Sequence, residues 1–270
     1  MLEISRSGYY AWKHRGISTR IQHQQKLLRI LISFHEKYPA AGLDALLHMI
    51  KPMYPCSRNT LHRLMKLHNI HSIRKKAYKT TTNSKHSYAV SPNLLQRNFT
   101  ADKPNQKWVG DITYIPTDEG WLYAAIVKDL CLNKIIGYSF SDHIDTNLTV
   151  SALEMAVNRQ KPQTNLIFHS DRGVQYASLG YRETLAKHNI TQSMSRKGNP
   201  YDNAVAENFF SCLKCELVHH KHYRTRAEAQ ADIFSYIETY YNPIRPQAAL
   251  NWLSPLEYEN RLSVYAAKVA

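Results

Sequence analysis

The sequence predicts an α/β domain with a mixed five-stranded sheet and flanking helices, preceded by a small all-α domain. Three observations carry this expectation. Helical spacing of apolar residues dominates the N-terminal part, period-two segments begin near Trp108, and strands then alternate with helices to about residue 217.

In the N-terminal part, Leu27, Leu28, Leu31, Phe34 and Tyr38 recur at helical spacing over 21–38, and Pro39 ends the run. A shorter helix fits 42–50. After Pro52 and Pro55, Ser57 can cap a third helix with an inner stripe of Leu61, Leu64, Met65 and, at its end, Leu67. Arg58, Asn59, His62, Arg63 and Lys66 stay outside. A basic, amide-bearing outer face on the last of three short helices is a helix-turn-helix pattern, suited to a DNA major groove. Residues 72–107 carry Arg74, Lys75, Lys76, Lys79 and Lys85 among Thr, Ser and Asn without periodicity, and read as a linker or DNA-tracking arm.

Segments 108–115, 121–127 and 134–140 read as strands of an antiparallel meander, the first turn spanning 116–120. A helix over 147–160, a buried strand over 166–169, a helix over 176–187, a strand over 190–194 and a longer helix over 201–217 follow. Three antiparallel strands and then αβαβα is the order of a ribonuclease H-like fold. A helix over 227–241 and a Pro-rich tail, NPIRPQAALNWLSPLEY, close the chain.

With 270 residues, 43% of them hydrophobic, the chain can bury a sizeable core. The most apolar stretch, 121–136, is interrupted by Lys128 and Asp129, too early for a membrane span. The start, MLEISRSGYYAWKHR, lacks a signal peptide's apolar core, and four cysteines fit a reduced inventory, so a cytoplasmic, nucleoid-associated protein is expected. The net charge of +14 is unevenly spread: residues 1–100 hold 17 Lys/Arg against 3 Asp/Glu, and the remainder holds 18 of each. Counterion release from phosphate rewards such a basic block, which makes nucleic acid the expected partner.

Three acids are oddly placed for solvated side chains. Asp111 interrupts an apolar strand on the face of Val109 and Thr113, where an unpaired charge is costly and calls for a cation. Asp171 follows a strand at its carboxyl end, with Gly173 letting the chain turn away. Glu207 lies on a helix that Asn199 can cap, with Pro200 at the first position, Asp202 near the positive end of the dipole, and Asn203, Ser211 and Lys214 on the Glu207 face. Three carboxylates make a hard-oxygen site for Mg²⁺ or Mn²⁺, and two such ions about 4 Å apart serve in-line phosphoryl transfer.

Asp111, Asp171 sixty positions on, Glu207 after thirty-five intervening residues and Lys214 seven further resemble the DDE pattern of retroviral-type integrases and bacterial transposases. The local words SRSGYYAW (5–12), PNLLQRNF (92–99), GDITYIPTDEGWLY (110–123), HSDRGVQY (169–176), SMSRKGNPYDNAVAENFFSCLKCELV (193–218) and YIETYYNPIRPQAALNWLSP (236–255) are similar to the OrfB transposase of the insertion sequence 3 family. The resemblance implies a short segment over 1–21, a helix-turn-helix domain over 22–80, a basic linker over 81–103, an integrase core over 104–260 and a tail over 261–270.

It further implies two ions per site on the three acids, with water and then a DNA 3′-hydroxyl as nucleophiles. Lys214 would contact a phosphate near the scissile bond, Asn203 would support Glu207 or touch DNA, and Arg196 and Lys197 would meet the same strand. Arg58, Arg63, Lys66, Lys75 and Lys76 would hold double-stranded DNA, either the element's terminal inverted repeats or the target. A homo-oligomer on paired ends, and an upstream OrfA product or fusion, belong to the same expectation.

The tail departs from the family word Y-N-x-x-R-x-H by carrying Gln247. A structural zinc on Cys212, Cys215 and the nearby His219, His220 and His222 is a competing reading of that stretch, against plain packing of the thiols. His169 either orients a carboxylate or simply packs. The rival functions are a non-catalytic repressor derived from a transposase and a ribonuclease H-like nuclease.

Overall fold

The computed structural model describes residues 5–73, 90–163, 165–196 and 202–269. The chain divides into two compact units, Met1–Ile73 and Arg74–Ala270.

The first unit is all-helical: α1 (Arg6–Lys13), α2 (Thr19–Lys37), α3 (Leu43–Ile50) and α4 (Arg58–Leu67). Leu27 and Leu31 of α2 meet Leu46 and Ile50 of α3 and Leu61, Leu64 and Met65 of α4 in one buried cluster. Ser57 caps α4 as its sequence position predicts, its Oγ accepting from the Thr60 N–H at 3.2 Å. Leu67 departs from the expected inner stripe and is 74% exposed, because α4 ends there with its last side chain beyond the cluster. Helix α1 was not expected. Ser5 caps it, and Tyr9, Tyr10 and Trp12 lie on its exposed surface.

In the second unit, β1 (Lys107–Thr117), β2 (Gly120–Asp129) and β3 (Ile135–Ser141) form the antiparallel meander, and β4 (Ile167–Ser170) and β5 (Thr191–Met194) add in parallel. The order β3-β2-β1-β4-β5 is the mixed five-stranded sheet that the sequence predicts. Helices cover both faces. On one, α5 (Thr146–Gln160), α6 (Val174–Ala177) and α7 (Leu179–Lys187) close over Trp108, Ala125, Val127, Ile136 and Phe168. On the other, α8 (Ala204–Glu216) and α9 (Arg226–Ser235) cover Ile115, Ala124, Ile126 and Tyr138. Helix α5 lies so close to β3 that a Cβ on Gly137 would strike the Ala152 carbonyl and Ala156.

Four expectations are corrected. The single helix over 176–187 is two, because Ser178 is extended and its Oγ caps α7 by accepting from the Tyr181 N–H. The expected linker is packed from residue 90 onward: Leu95 is buried with Val109, Leu130 and Ala206, the Leu94 N–H reaches Ser193 Oγ at 2.9 Å, and Lys107 Nζ donates to the carbonyls of Asn98 and Thr100. The last helix passes beyond α9 into a π-helical turn, Tyr236–Tyr241, which buries Tyr236 and Tyr241 against Phe209. The Pro-rich tail ends in α10 (Pro255–Val269), opened by a reciprocal cap in which the Ser254 N–H donates to Glu257 and the Glu257 N–H to Ser254 Oγ. Among the described residues no helix is long and apolar enough to cross a membrane.

Candidate active site

Asp111 sits mid-strand in β1, opposite Ile126 of β2. Its neighbour Gly110 faces the other way, where a Cβ would run into the Phe168 ring, with the Tyr176 hydroxyl next to it, so the tight β1–β4 packing admits only glycine beside the acid. Asp111 Oδ1 accepts from the Ile112 N–H at 2.9 Å. Burial, then repulsion from Asp171 and Glu207, push its carboxyl well above the usual range, against the Ile112 hydrogen bond and the attraction of Lys214. Asp171 follows β4 directly and turns the chain by accepting from the Gly173 N–H at 2.9 Å, just before α6. Glu207 occupies the exposed first turn of α8, and partial burial followed by Asp171 raises its carboxyl.

The three acids therefore converge from β1, the end of β4 and α8, and each is electrostatically coupled to another. The arrangement is open: among the described residues no three His, Cys, Asp or Glu side chains form a group that could by themselves hold a metal. Among the described residues Cys212, Cys215, His219, His220 and His222 likewise form no such group. Cys212 Sγ instead lies 3.3 Å from Arg245 Nη2, and that guanidinium also forks onto Glu216. Lys214, two turns after Glu207, faces the site: it is coupled to Asp111, and its Nζ stands 4.7 Å from the Tyr114 ring centre.

Other expected contacts fall elsewhere. Helix α8 begins at Ala204 with Asn203, not Asn199, as its cap residue; Asn203 is buried with no partner for Oδ1, and Asn199 and Pro200 lie outside the described residues. Asp202 is not a dipole ligand. Its buried carboxylate accepts from the Arg196 backbone N–H and guanidinium at 2.9–3.0 Å, from Arg97 Nε at 3.2 Å and from Asn93 Nδ2 at 2.9 Å. These groups, Arg196 foremost, hold its pKa far below the carboxylate range. Arg196, expected at DNA, is thus engaged by Asp202.

On the N-terminal unit, Arg58 is tied to Asp44 at 2.7 Å and 3.3 Å and braces α4 against α3. Arg63 and Lys66 remain exposed, and Arg63 joins Arg20, His23, Gln24, Ser57 and Thr60 around a cleft of about 360 Å³. Lys75, Lys76 and Lys197 lie outside the described residues. Gln247 pairs its backbone with Leu253 and turns its side chain to the buried Tyr241 hydroxyl.

Sequence reasoning missed Asp202 and Tyr114. Two arginines and an asparagine near Asp202 in space come from positions 93, 97 and 196, a pairing no local pattern reveals.

Comparison with known proteins gives the chain's relatives. Integrase core domain models match residues 101–200 and 207–262. The transposase InsF for insertion sequence IS3A of Escherichia coli (strain K12) is 39% identical over 265 residues, 97% of this chain and 92% of that protein. An uncharacterized 31 kDa protein of insertion element IS600 from Shigella sonnei is 38% identical over 98% of both chains. A chain of a simian T-cell lymphotropic virus intasome superposes with a TM-score of 0.49 at 15% identity, covering 84% of this chain and 73% of its own. With that identity sustained across nearly its whole length, and three acids converging on a five-stranded sheet, the chain belongs to the insertion sequence 3 family of DDE-type transposases with an integrase catalytic core.

Proposed function

We propose that this protein nicks the ends of an insertion sequence and joins the freed 3′-hydroxyl to DNA, with Asp111, Asp171 and Glu207 as its catalytic carboxylates. The observation that carries this reading is their convergence from three distant segments, with mutual repulsion offset by only Lys214 among the cations coupled to Asp111. Three hard oxygen donors with excess negative charge fit two Mg²⁺ or Mn²⁺ ions. Bound there, the ions supply Lewis-acid stabilisation of the attacking and leaving oxygens.

The chain's own residues do the rest. Asp111 is held rigidly mid-sheet and Asp171 by its turn, so two ligands are fixed in place while Glu207 approaches from the first turn of α8. In the first step a water oxygen attacks the phosphodiester at the element end and the 3′-oxygen leaves. In the second that 3′-hydroxyl attacks a target phosphodiester and the target's own 3′-oxygen leaves. One phosphodiester replaces another, so no nucleotide cofactor is consumed. Lys214, oriented over Tyr114, is placed to meet a phosphate oxygen next to the acids. Arg63 and Lys66 on α4 hold duplex DNA, in the helix-turn-helix manner, and two copies act on paired ends.

The intact acids argue against a non-catalytic repressor. The test uses end-labelled duplexes carrying the element's terminal repeats, with and without Mg²⁺. Metal-dependent nicking and strand joining that Asp171→Asn abolishes are expected. Cleavage surviving that substitution overturns the assignment, and hydrolysis of RNA–DNA hybrids without joining replaces it with a nuclease.

A further inference from the structure

His169 is wholly buried on β4, two residues before Asp171, and its ring joins segments far apart in sequence. Nε2 lies 2.9 Å from the Asp202 carbonyl oxygen, and Nδ1 lies 2.8 Å from Ser193 Oγ on β5. A carbonyl can only accept, so Nε2 carries the hydrogen and Nδ1 of the neutral ring accepts from Ser193. Ser193 Oγ in turn accepts from the Leu94 N–H at 2.9 Å, which completes a directed chain from the 90–100 segment through β5 and β4 to the residues before α8. Ser195 Oγ lies 3.2 Å from Nε2 and donates to the Ser170 carbonyl at 3.2 Å.

Asp202 is therefore pinned at both ends. Its carbonyl is tied to β4 through His169, and its carboxylate to the 90–100 segment and the end of β5 through Arg97, Asn93 and Arg196. The next residue, Asn203, supplies the carbonyl that accepts the Ala206 and Glu207 N–H groups and starts α8. Where α8 begins thus fixes where Glu207 stands relative to Asp171.

We propose that His169 and Asp202 are positioning residues that lock the start of α8 to the strand carrying Asp171 and so set the spacing of Glu207 and Asp171. This rests on the function proposed above. Neither residue need touch DNA or metal. A displacement of about 1 Å at a reacting centre costs up to about 10²-fold in rate, so a lost tether shows in turnover before it shows in stability.

The test compares two substitutions in the full chain. His169→Phe keeps a flat ring of similar volume and removes the donor, whereas His169→Gln fills the space less well but can place an N–H near the Nε2 position. We expect His169→Phe to lose about tenfold or more in kcat for Mg²⁺-dependent nicking with KM for DNA unchanged, and His169→Gln to recover most of it. Hydrogen exchange at the Ala206 and Glu207 amides is expected to accelerate in the Phe variant and stay near wild type in the Gln variant. Mn²⁺ binding by calorimetry should weaken in the same order.

The reverse order, an active Phe variant with slow exchange and an impaired Gln variant, means that the ring only fills space and overturns the proposal. If wild type shows no metal-dependent nicking, the functional reading fails, and the exchange data decide the positioning claim alone: unchanged exchange in His169→Phe rejects it. Should that variant not fold, Arg97→Gln loosens the Asp202 grip from the surface. Faster exchange at Ala206 and Glu207 is then expected, and unchanged exchange overturns the proposal.

Discussion

The two units use charge in opposite ways. In the N-terminal unit the cations stay on the outside: Arg63 and Lys66 are exposed, the Arg58–Asp44 pair is exposed, and the core beneath is an unbroken cluster of leucine, isoleucine and methionine. In the catalytic unit, where residues 101–270 hold 18 Lys/Arg and 18 Asp/Glu, charged groups are taken inside. Asp111 is pressed against like charges, Asp202 is gripped by two guanidiniums, and Lys128 is buried with its ammonium pushed down to about 8 by loss of solvent. A surface charge attracts a polyanion from a distance and costs little to keep, whereas a buried charge must be matched and so fixes geometry. On the proposed function, this contrast divides holding DNA from acting on it.

Five substitutions sharpen or break this contrast. The largest effect is expected at Asp111. Asp111→Asn should lower nicking by about 10³-fold or more. It should also raise the melting temperature in metal-free buffer, by about 2–4 °C for each kcal/mol of relieved repulsion. A variant that loses both activity and stability contradicts the claim that this carboxylate is held against its electrostatic preference.

Leu31→Ala deletes a fully buried side chain of the first unit and should cost about 2–5 kcal/mol there. DNA binding should fall with it, while differential scanning calorimetry shows the core transition unmoved. A shift of both transitions by the same amount denies the independence of the two cores.

Asp202 tests the buried pairing through pH. Its carboxyl titrates lower in the folded chain than unfolded, so its stabilisation is complete above the ordinary aspartate value of about 4 and is lost as pH falls below it. Asp202→Asn should therefore lower the core's melting temperature at pH 7, and the gap to wild type should narrow toward pH 3. A gap that is constant across this range excludes the charge as its cause.

The smallest effects belong to the exposed cations. Arg63→Ala should weaken duplex binding severalfold and reduce the slope of log affinity against log salt by about 1. Arg58→Ala should change that slope less, since its guanidinium is engaged by Asp44, and cost under about 1 kcal/mol in stability. Equal slopes for the two variants break the distinction drawn between a free and a paired arginine.

How much of this was legible in the sequence depends on whether the signal was local. Period-two alternation located β1, β2 and β3 to within a few residues and put Asp111 on one face with Val109 and Thr113, a face that the structure shows α8 covering. The capping serine of α4 and the core stripe Leu61, Leu64 and Met65 were equally readable. Each acid stood out by its odd placement, and the spacing of the family pattern made the three far more specific as a set, since no local rule joins positions 111, 171 and 207.

What escaped was non-local or hidden by composition. The grip on Asp202 joins Asn93 and Arg97, more than a hundred positions away, to Arg196, six positions away across a loop, so the 90–100 segment looked like a linker and Arg196 looked free for DNA. The break at Ser178 turns on one side chain choosing to cap. Helix α10 was obscured by the prolines before it, although Ser254, Pro255 and Glu257 already spell its cap.

The central claim is that Asp111, Asp171 and Glu207 act together on a phosphodiester. The most direct measurement is strand joining of a terminal-repeat duplex labelled at the 5′ end of the transferred strand, in Mg²⁺, run with wild type and Asp171→Asn at equal DNA occupancy. The account predicts labelled joint products from the wild type and none from the variant, with binding unchanged. Joint products from Asp171→Asn at the wild-type rate would contradict it.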